Sequence, residues 1–165
     1  MRRKDRERDA EFAWRVLEKA PFATLSMTDT EGNPYCVPIS PVADREYGVL
    51  YFHCAAKGAK LSAIEKDPRV CLSAVGYAAA VPNAFEMEYA SAVFRGRAEV
   101  VTDESERVKA MLLLCTFYDP KGMGRFDEVM GKYFAHTVVV KIVPSEITGK
   151  QYHGDHPDPF AARHE

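Results

Sequence analysis

Two lysines and a histidine stand close together in residues 51–60, which read YFHCAAKGAK. Lys57 and Lys60 are three residues apart, so their ammonium groups can reach one dianion from two sides. Gly58 permits a crowded or left-handed backbone, and the helix predicted to follow would present free N–H groups at its positive end. These features suit a phosphate monoester, although neither the P-loop nor the dinucleotide-binding glycine pattern is present. Spacing alone favours the alternative, which is a solvated turn with two surface lysines.

Histidines occur in two places where they could do chemistry. His53 ends an apolar segment directly before the lysine turn, where it would lie beside any ligand; a histidine that only forms a structural hydrogen bond is the alternative. The segment YHGDHPD at 152–158 contains imidazoles and carboxylates, which are metal-ligand types. Because prolines break this segment, we interpret it as a flexible tail or a dimer-packing segment and expect no metal site. No Ser/His/Asp order or carboxylate pair indicates a hydrolase.

The composition limits the class of protein. The chain has 165 residues, of which 47% are hydrophobic and 28% charged, as is ordinary for a globular domain. Its formal net charge of −2 argues against a nucleic-acid partner, which would need a basic face. No apolar run approaches the ~20 residues that span a bilayer, and no signal-peptide pattern follows the charged start, so we expect a cytoplasmic protein without a membrane partner. Four cysteines without CxxC spacing are interpreted as reduced core thiols: Cys36, Cys54, Cys71 and Cys115.

Hydrophobic periodicity predicts the elements that would position these residues. Asp9 is placed to cap a first helix. Asp103 and Glu106 have the spacing of a capping box at the start of a later helix. One face of that later helix is predicted to be formed by Val108, Met111, Leu112 and Cys115. Further helices are predicted in the segment 59–68, stopped by Pro68, and near 125–134. Strands are predicted at 22–28, 35–43, 49–54, 69–77, 86–102 and 136–144. The apolar segment 78–85 is predicted to be a loop that packs on a partner or ligand.

Strands that follow each other directly predict an antiparallel sheet. A small barrel with helices at its ends or flank fits this pattern better than a doubly wound fold. Pro38 and Pro41 cannot donate ladder hydrogen bonds, so their strand is predicted to be an edge or bulged strand, and Gly96 is predicted to mark a bend. We expect a single domain over 1–151 and a polar C-terminal tail over 152–165.

Four segments in register give a resemblance to a known family. They are MRRKDRE, YFHCAAKGAKLSAIEKDPRVC, YASAVFRGRAEVVTDESERVKAM and VVVKIVPSEITGKQ. In this order they resemble the nitroimidazole-resistance branch of the pyridoxamine 5'-phosphate oxidase-like flavoproteins, over residues 1–151. The resemblance implies a mainly β fold with flanking helices, an antiparallel split β-barrel, and a homodimer that binds FMN at its interface.

The resemblance also implies which residues form the site. The backbone of residues 37–40 would lie along the flavin ring. The end of the third predicted strand would lie near the ring and the ribityl chain, and the lysine turn would bind the phosphate. A second subunit would contribute the strand around Tyr89. The implied FMN-binding residues are Val37, Pro38, Ile39, Ser40, His53, Cys54, Ala55, Lys57, Gly58, Lys60, Tyr89, Ser91 and Val93. His53 is further implied as the proton donor in nitroreduction. Segment 78–85 has no counterpart in the family pattern.

The implied function is an FMN-dependent oxidoreductase that reduces small nitroaromatic substrates such as 5-nitroimidazoles, with FAD as the alternative flavin. One alternative is a flavin-binding or flavin-storage module without a dedicated substrate. Another is a haem-binding split-barrel relative that would use the histidine-bearing C-terminal tail. Oxidation of pyridoxamine phosphate itself is disfavoured, because the arginine-rich C-terminal substrate motif is missing and Arg163 stands alone.

Overall fold

The structure is a computed structural model that describes residues 2–154, 158 and 160. Its strands are β1 (Glu7–Arg8), β2 (Ala23–Thr28), β3 (Pro34–Ile39), β4 (Val42–Asp44), β5 (Val49–Ala55), β6 (Arg69–Val81), β7 (Glu86–Val100) and β8 (Thr137–Tyr152). Its α-helices are α1 (Ala10–Lys19), α2 (Ala59–Lys66), α3 (Glu104–Tyr118) and α4 (Phe126–Tyr133). Short 3₁₀ turns cover Lys4–Arg6, Pro120–Arg125 and Phe134–His136.

All strand pairs are antiparallel, in the order β3-β2-β6-β7-β8-β5-β4, with β1 added to β8. The predicted mainly β fold with flanking helices is therefore confirmed, and the sheet is that of a split barrel. The predicted strand 35–43 is in fact two strands, because the chain leaves the sheet at Ser40 and Pro41. Its halves lie at the two ends of the strand order, so the prediction that this segment forms sheet edges is confirmed.

Alternating side chains fill the inside of the barrel. Leu25, Leu72, Phe94, Leu50 and Phe52 are almost completely buried there. Full burial of each such side chain stabilises the fold by about 1.5–3 kcal/mol. Helix α1 packs across β6, β7 and β8 and adds its apolar face to this core, with Trp14 on Phe94 at a ring-centre distance of 4.8 Å.

A second core lies on the outer side of β5. There Tyr51 and Val139 pack under Ala110, Met111 and Leu114 of α3. The prediction that Met111 lies on the buried face of α3 is confirmed, whereas Val108 and Leu112 are exposed and Cys115 is half-buried. This second core fixes α3 over β5 and so sets the walls of the cleft described below.

Helix caps and one bend follow the sequence prediction. The carboxylate of Asp9 accepts a hydrogen bond from the Phe12 amide at 2.8 Å, and that of Asp103 accepts one from the Glu106 amide at 2.8 Å. The register between β7 and β8 shifts at Gly96, where a side chain would collide with the backbone of Val143. The bend at Gly96 is thus confirmed, because only glycine lets the two backbones approach this closely.

Two segments that lie outside the predicted strands are strand in the structure. Ala78–Val81 continue β6 and pair with the start of β7, so only 82–85 form a turn and the predicted loop 78–85 is wrong. The polar residues after Pro144 continue β8 to Tyr152, with Ser145 as the extra residue of the bulge. Polar side chains are compatible with a strand there because one face of the sheet is exposed.

The remaining sequence predictions have mixed outcomes. All four cysteines are free, but Cys36 is exposed and the other three are half-buried, so the prediction of core thiols is wrong for Cys36. In the predicted tail, Phe160 is buried and packs on Phe12 at 5.6 Å between ring centres. Residues 155–157, 159 and 161–165 of that tail lie outside the described residues. In the part of the chain that the structure describes, no helix is long and apolar enough to span a membrane.

Candidate functional site

A cleft of about 440 Å³ opens between the end of β5 and the helical segment that follows β7. Ser40 and His53 lie on its sheet side, and α3, the 3₁₀ turn and α4 form the opposite wall. Its lining residues are Ser40, His53, Leu114, Cys115, Tyr118, Asp119, Gly122, Met123, Arg125, Phe126 and Val129. The cleft is therefore mostly apolar, with one imidazole on its sheet side and charged groups from the helical wall.

The strand alternation of β5 brings His53 to this cleft. Tyr51 packs beneath α3 on the outer face, Phe52 is buried inside the barrel, and His53 returns to the outer face two residues beyond Tyr51. Ser40 lies in the connection between β3 and β4 and lines the same cleft as His53. The predicted site residues Ser40 and His53 are thus brought together.

Tyr118 ties the helical wall to the sheet. Its hydroxyl donates a hydrogen bond of 2.8 Å to the carbonyl oxygen of Pro41, directly beyond Ser40. Burial raises the pKa of Tyr118, so the hydroxyl keeps its proton and remains a donor. Asp119 then accepts a hydrogen bond from the Gly122 amide at 3.0 Å, which starts the turn toward α4.

The lysine turn follows β5 and opens α2. Gly58 adopts a φ of 151°, which L side chains rarely adopt, and occupies the N-cap position of α2. Within the described residues no side chain caps this helix start, and the Gly58 carbonyl accepts bonds from the amides of Leu61 and Ser62. The amides of Ala59 and Lys60 therefore remain available at the positive end of the helix. This arrangement fits a phosphate group.

The two lysines of the turn have different surroundings. The ammonium group of Lys60 lies 5.8 Å from the centre of the Phe52 ring, and Lys60 is half-buried. Partial burial lowers the pKa of His53, and the positive charge of Lys60 lowers it further. Burial raises the pKa of the Cys54 thiol, while the charge of Lys60 acts in the opposite direction. Lys57 is exposed, as are Ala55 and Gly58.

The segment 37–40 meets the cleft only at its end. Ile39 is buried and Val37 packs against the barrel core, so both side chains point inward. Pro38 is exposed on the outer side of the edge strand β3. A ligand lying along this segment would therefore meet its backbone and Pro38, rather than the side chains of Val37 and Ile39.

Tyr89, Ser91 and Val93 lie far from this cleft within one chain. All three are half-buried on the outer face of β7, and the Ser91 hydroxyl donates to the Lys150 carbonyl at 3.4 Å. Ser91 pairs with Lys150 of β8, whereas His53 pairs with Val139, which precedes Lys150 by 11 residues. This is about 36 Å of strand. A single chain does not bring these residues to His53.

Sequence reasoning missed the helical wall. Leu114, Tyr118, Met123 and Phe126 line the cleft, but none was predicted as a site residue. Residues 111–118 are apolar on every side of α3, so periodicity alone does not distinguish the core face from the cleft face. Among residues 2–154, 158 and 160, no group of three or more histidines, cysteines and carboxylates could hold a metal ion. His156 of the segment 152–158 lies outside these residues.

Comparison with known proteins gives a family assignment. The family model described as pyridoxamine 5'-phosphate oxidase matches residues 9–151, which is most of the chain. No curated protein sequence matches.

Solved structures have the same fold. One is a candidate 5-nitroimidazole antibiotic resistance protein from Bacteroides thetaiotaomicron, with a TM-score of 0.71, 24% identity, and coverage of 87% of this chain and 84% of that one. The flavocytochrome Anf3 from Azotobacter vinelandii has a TM-score of 0.79 and 22% identity, and the match covers 96% of this chain and 74% of that one. An FAD and haem binding protein from Mycobacterium smegmatis has a TM-score of 0.72 and 21% identity, covering 91% and 74%. At these identities the likeness establishes the fold alone.

Proposed function

Because the chain belongs to the pyridoxamine 5'-phosphate oxidase family, we propose that it is a flavin-binding oxidoreductase that holds FMN and reduces nitroaromatic compounds such as 5-nitroimidazoles. The observation that carries the proposal is the uncapped, lysine-bearing start of α2, which begins six residues after His53 along the chain. His53 lines the cleft, whereas the residues of the lysine turn do not line it. The amides of Ala59 and Lys60 and the ammonium of Lys60 would bind the phosphate. The flavin supplies hydride or electron transfer when bound.

The chain's own residues would contribute orientation and a proton. Ser40 and His53 face the same cleft, and the apolar helical wall would exclude water from a small aromatic substrate. Reduction of a nitro group consumes protons, and His53 is the histidine lining the cleft that could deliver one from its imidazole nitrogen. Burial, and after it the positive charge of Lys60, lowers the pKa of His53, so an anion that offsets that lysine would favour the protonated imidazole.

The proposed site needs two copies of the chain. Tyr89, Ser91 and Val93 form an outer-face patch, and their β8 partners follow the β8 partner of His53 by 13, 11 and 9 residues, or roughly 30–43 Å of strand. We propose that these residues contact the flavin bound by a second copy. A two-fold homodimer would meet this requirement, because the outer-face patch of each copy would then lie at the flavin site of the other copy. FAD remains the alternative flavin, since solved relatives are described as binding FAD.

The test is the visible spectrum of the purified protein after addition of FMN, then of NAD(P)H, then of a 5-nitroimidazole. We expect a bound flavin spectrum that bleaches with the reductant and recovers with the nitro compound. Riboflavin should bind much more weakly than FMN, because each charge-assisted hydrogen bond to phosphate contributes about 1.5–3 kcal/mol. Equal affinities for riboflavin and FMN would contradict the proposal that the lysine turn binds the FMN phosphate. A flavin that binds but never reoxidises with the nitro compound would favour the storage module.

A further inference from the structure

A shallow groove of about 690 Å³ crosses β2, β6 and β7 beside the end of α2. It shares no lining residue with the His53 cleft. Arg69, Arg95 and Arg97 line the groove, and Asp67 is the one carboxylate among its described lining residues. The groove therefore gathers three positive charges and one negative charge, although the chain as a whole has a formal net charge of −2.

Strand pairing brings the three arginines together. Arg69 of β6 lies directly opposite Arg97 of β7, and Arg95 lies opposite Cys71. Opposite residues of an antiparallel pair have Cα atoms about 4.5–5.5 Å apart, and Arg95 and Arg97 lie about 7 Å apart along the same face of β7. Like charges directly opposite each other destabilise a sheet. Folding alone therefore disfavours Arg97 opposite Arg69, whereas a bound anion would offset the repulsion.

A β-bulge sets the backbone from which Arg95 and Arg97 extend. The register between β7 and β8 shifts between Arg95 and Gly96, and the hydroxyl of Ser145, the extra residue, donates to the Arg95 carbonyl at 3.2 Å. Bulges increase the local twist, re-aim side chains and are common beside functional sites. The two guanidinium groups thus extend from a backbone whose geometry the bulge defines.

The acidic partners of these arginines leave part of the positive charge uncompensated. Asp67 accepts from Arg69 through both carboxylate oxygens, with Nη2 2.6 Å from Oδ2 and Nε 3.0 Å from Oδ1. Arg95 makes one contact of 3.4 Å with Glu146, and because both side chains are more than half exposed this ion pair is weak. The guanidinium of Arg97 forms no hydrogen bond or ion pair with any residue that the structure describes. Arg97 and Arg95 therefore keep donors for an external anion.

The donors at the groove match a phosphate group. A guanidinium presents its N–H groups in a planar fork that fits two phosphate oxygens, and two forks on the same face can hold one dianion. The Ser26 hydroxyl lines the same groove and accepts from the Cys36 thiol at 3.2 Å, so its own proton can be donated to a ligand. A carboxylate ligand would satisfy fewer of these donors, because it has two oxygens rather than three.

We infer that this groove is a phosphate-binding site. Arg95 and Arg97 hold the phosphate oxygens, and Arg69, fixed by Asp67, adds positive charge from the neighbouring strand. The ligand is a phosphate dianion, either inorganic phosphate or the phosphate group of a nucleotide.

The groove is separate from the lysine turn proposed to bind the FMN phosphate. Helix α2 lies between them, because the turn precedes Ala59 and the groove begins at Asp67, directly after the helix ends at Lys66. The eight residues of this helix span about 12 Å. The groove lies at the negative end of the helix dipole, which does not attract anions, so its binding must come from the arginines. The inference therefore goes beyond the proposed function and does not rest on it.

Isothermal titration calorimetry of the full chain with inorganic phosphate at low ionic strength tests the inference. We expect Arg97→Ala to lower phosphate affinity about ten- to hundredfold, the effect of one lost charge-assisted hydrogen bond. Arg97→Lys should restore only part of the affinity, because an ammonium keeps the charge but not the fork. Arg2→Ala is the matched control, because Arg2 is also an exposed arginine but lines neither the groove nor the cleft.

Two results would overturn the site. One is a phosphate affinity that is the same in Arg97→Ala and in wild type. The other is a loss of phosphate binding in Lys60→Ala alone, which would assign the anion to the lysine turn. Titration with AMP separates the two sources of phosphate. Arg97-dependent binding of AMP that is tighter than that of phosphate indicates a nucleotide, and AMP binding that is no tighter indicates inorganic phosphate.

FMN affinity, measured by quenching of flavin fluorescence, separates this inference from the proposed function. Arg97→Ala should bind FMN as wild type does, and a fall in its FMN affinity would overturn the independence of the groove. If wild type does not bind FMN but keeps the Arg97-dependent phosphate site, only the proposed function is removed. FMN binding without an Arg97-dependent phosphate site removes only the groove.

Discussion

The ammonium group of Lys60 lies 5.8 Å from the centre of the Phe52 ring, so its positive charge sits over the residue that precedes His53. Phe52 is buried in the barrel, which holds this part of β5 rigid. Burial lowers the pKa of His53, and Lys60 is the lysine of the turn whose charge lowers it further. Lys57 is exposed on the outer side of the same turn.

We predict that Lys60→Ala weakens FMN binding more than Lys57→Ala does. Loss of one charge-assisted hydrogen bond of about 1.5–3 kcal/mol lowers affinity roughly ten- to hundredfold. Fluorescence titration with FMN measures both variants. Lys66→Ala is the control, because Lys66 ends the same helix and donates to the Thr30 carbonyl away from the turn. If Lys57 and Lys60 variants both match wild type, the turn is only a solvated connection.

Local signals in the sequence predicted much of the fold but not the walls of the site. Asp9 and Asp103 act through bonds to amides three residues away, so their capping was visible in the spacing. The strand at Ala78–Val81 was missed because alanines carry little strand preference and are held by pairing with β7. The contribution of Tyr118 depends on a contact with Pro41, 77 residues earlier, which no local pattern encodes.

The titration of His53 should report on Lys60. Partial burial and the Lys60 charge both disfavour the imidazolium, so we predict a His53 pKa below the usual ~6.5 in the free protein. Lys60→Ala removes one of these causes and should raise this pKa. Binding of FMN, whose phosphate offsets the Lys60 charge, should raise it too. NMR titration of the histidine ring protons, assigned with His53→Gln, measures the changes. An unchanged pKa in Lys60→Ala would show that burial alone sets it.

Replacement of His53 should separate chemistry from binding. We predict that His53→Gln keeps FMN but lowers nitroimidazole turnover about a hundredfold, the scale of one acid–base group. Glutamine preserves hydrogen-bonding capacity while removing the titratable proton. Turnover is followed by reoxidation of the reduced flavin, and FMN retention by absorbance after gel filtration. Loss of FMN would instead assign His53 a binding role, and full turnover would exclude it from proton transfer.

The patch around Ser91 should link flavin binding to assembly. Ser91→Arg places a bulky cation on the outer face of β7 beside Lys150, so we expect both dimerisation and FMN retention to fall together. Light scattering and flavin absorbance measure the two effects. Thr102→Arg adds the same charge at an exposed position just after β7 and should change neither. A monomeric wild-type protein with full FMN occupancy would contradict the two-copy site.

A polar network between α3 and β5 should make the stability of the fold depend on pH. The Tyr51 hydroxyl donates to Glu106 at 2.8 Å, and the Lys141 ammonium lies 3.1 Å from the same carboxylate. The bond from Tyr51 is the main cause of the lowered pKa of Glu106, and Lys141 adds to it. Because the pKa of Glu106 is lower in the folded state than in the unfolded state, ionised Glu106 stabilises the fold at pH values above the unfolded-state pKa of ~4.3. That stabilisation is lost as pH falls through the folded-state pKa.

We therefore predict that Glu106→Gln lowers the free energy of unfolding at pH 7 by about 1 kcal/mol, allowing for partial exposure. This corresponds to roughly 2–4 °C in Tm. The difference from wild type should shrink as the pH falls through the folded-state pKa of Glu106, because both proteins then carry a neutral side chain at this position. Glu104→Gln removes the same charge two residues earlier, at an exposed position of α3, and serves as the control in thermal unfolding. A Tm difference that stays constant from pH 7 to pH 3 would mean that Glu106 acts through packing, and that the ionised bond to Tyr51 does not hold β5 beneath α3.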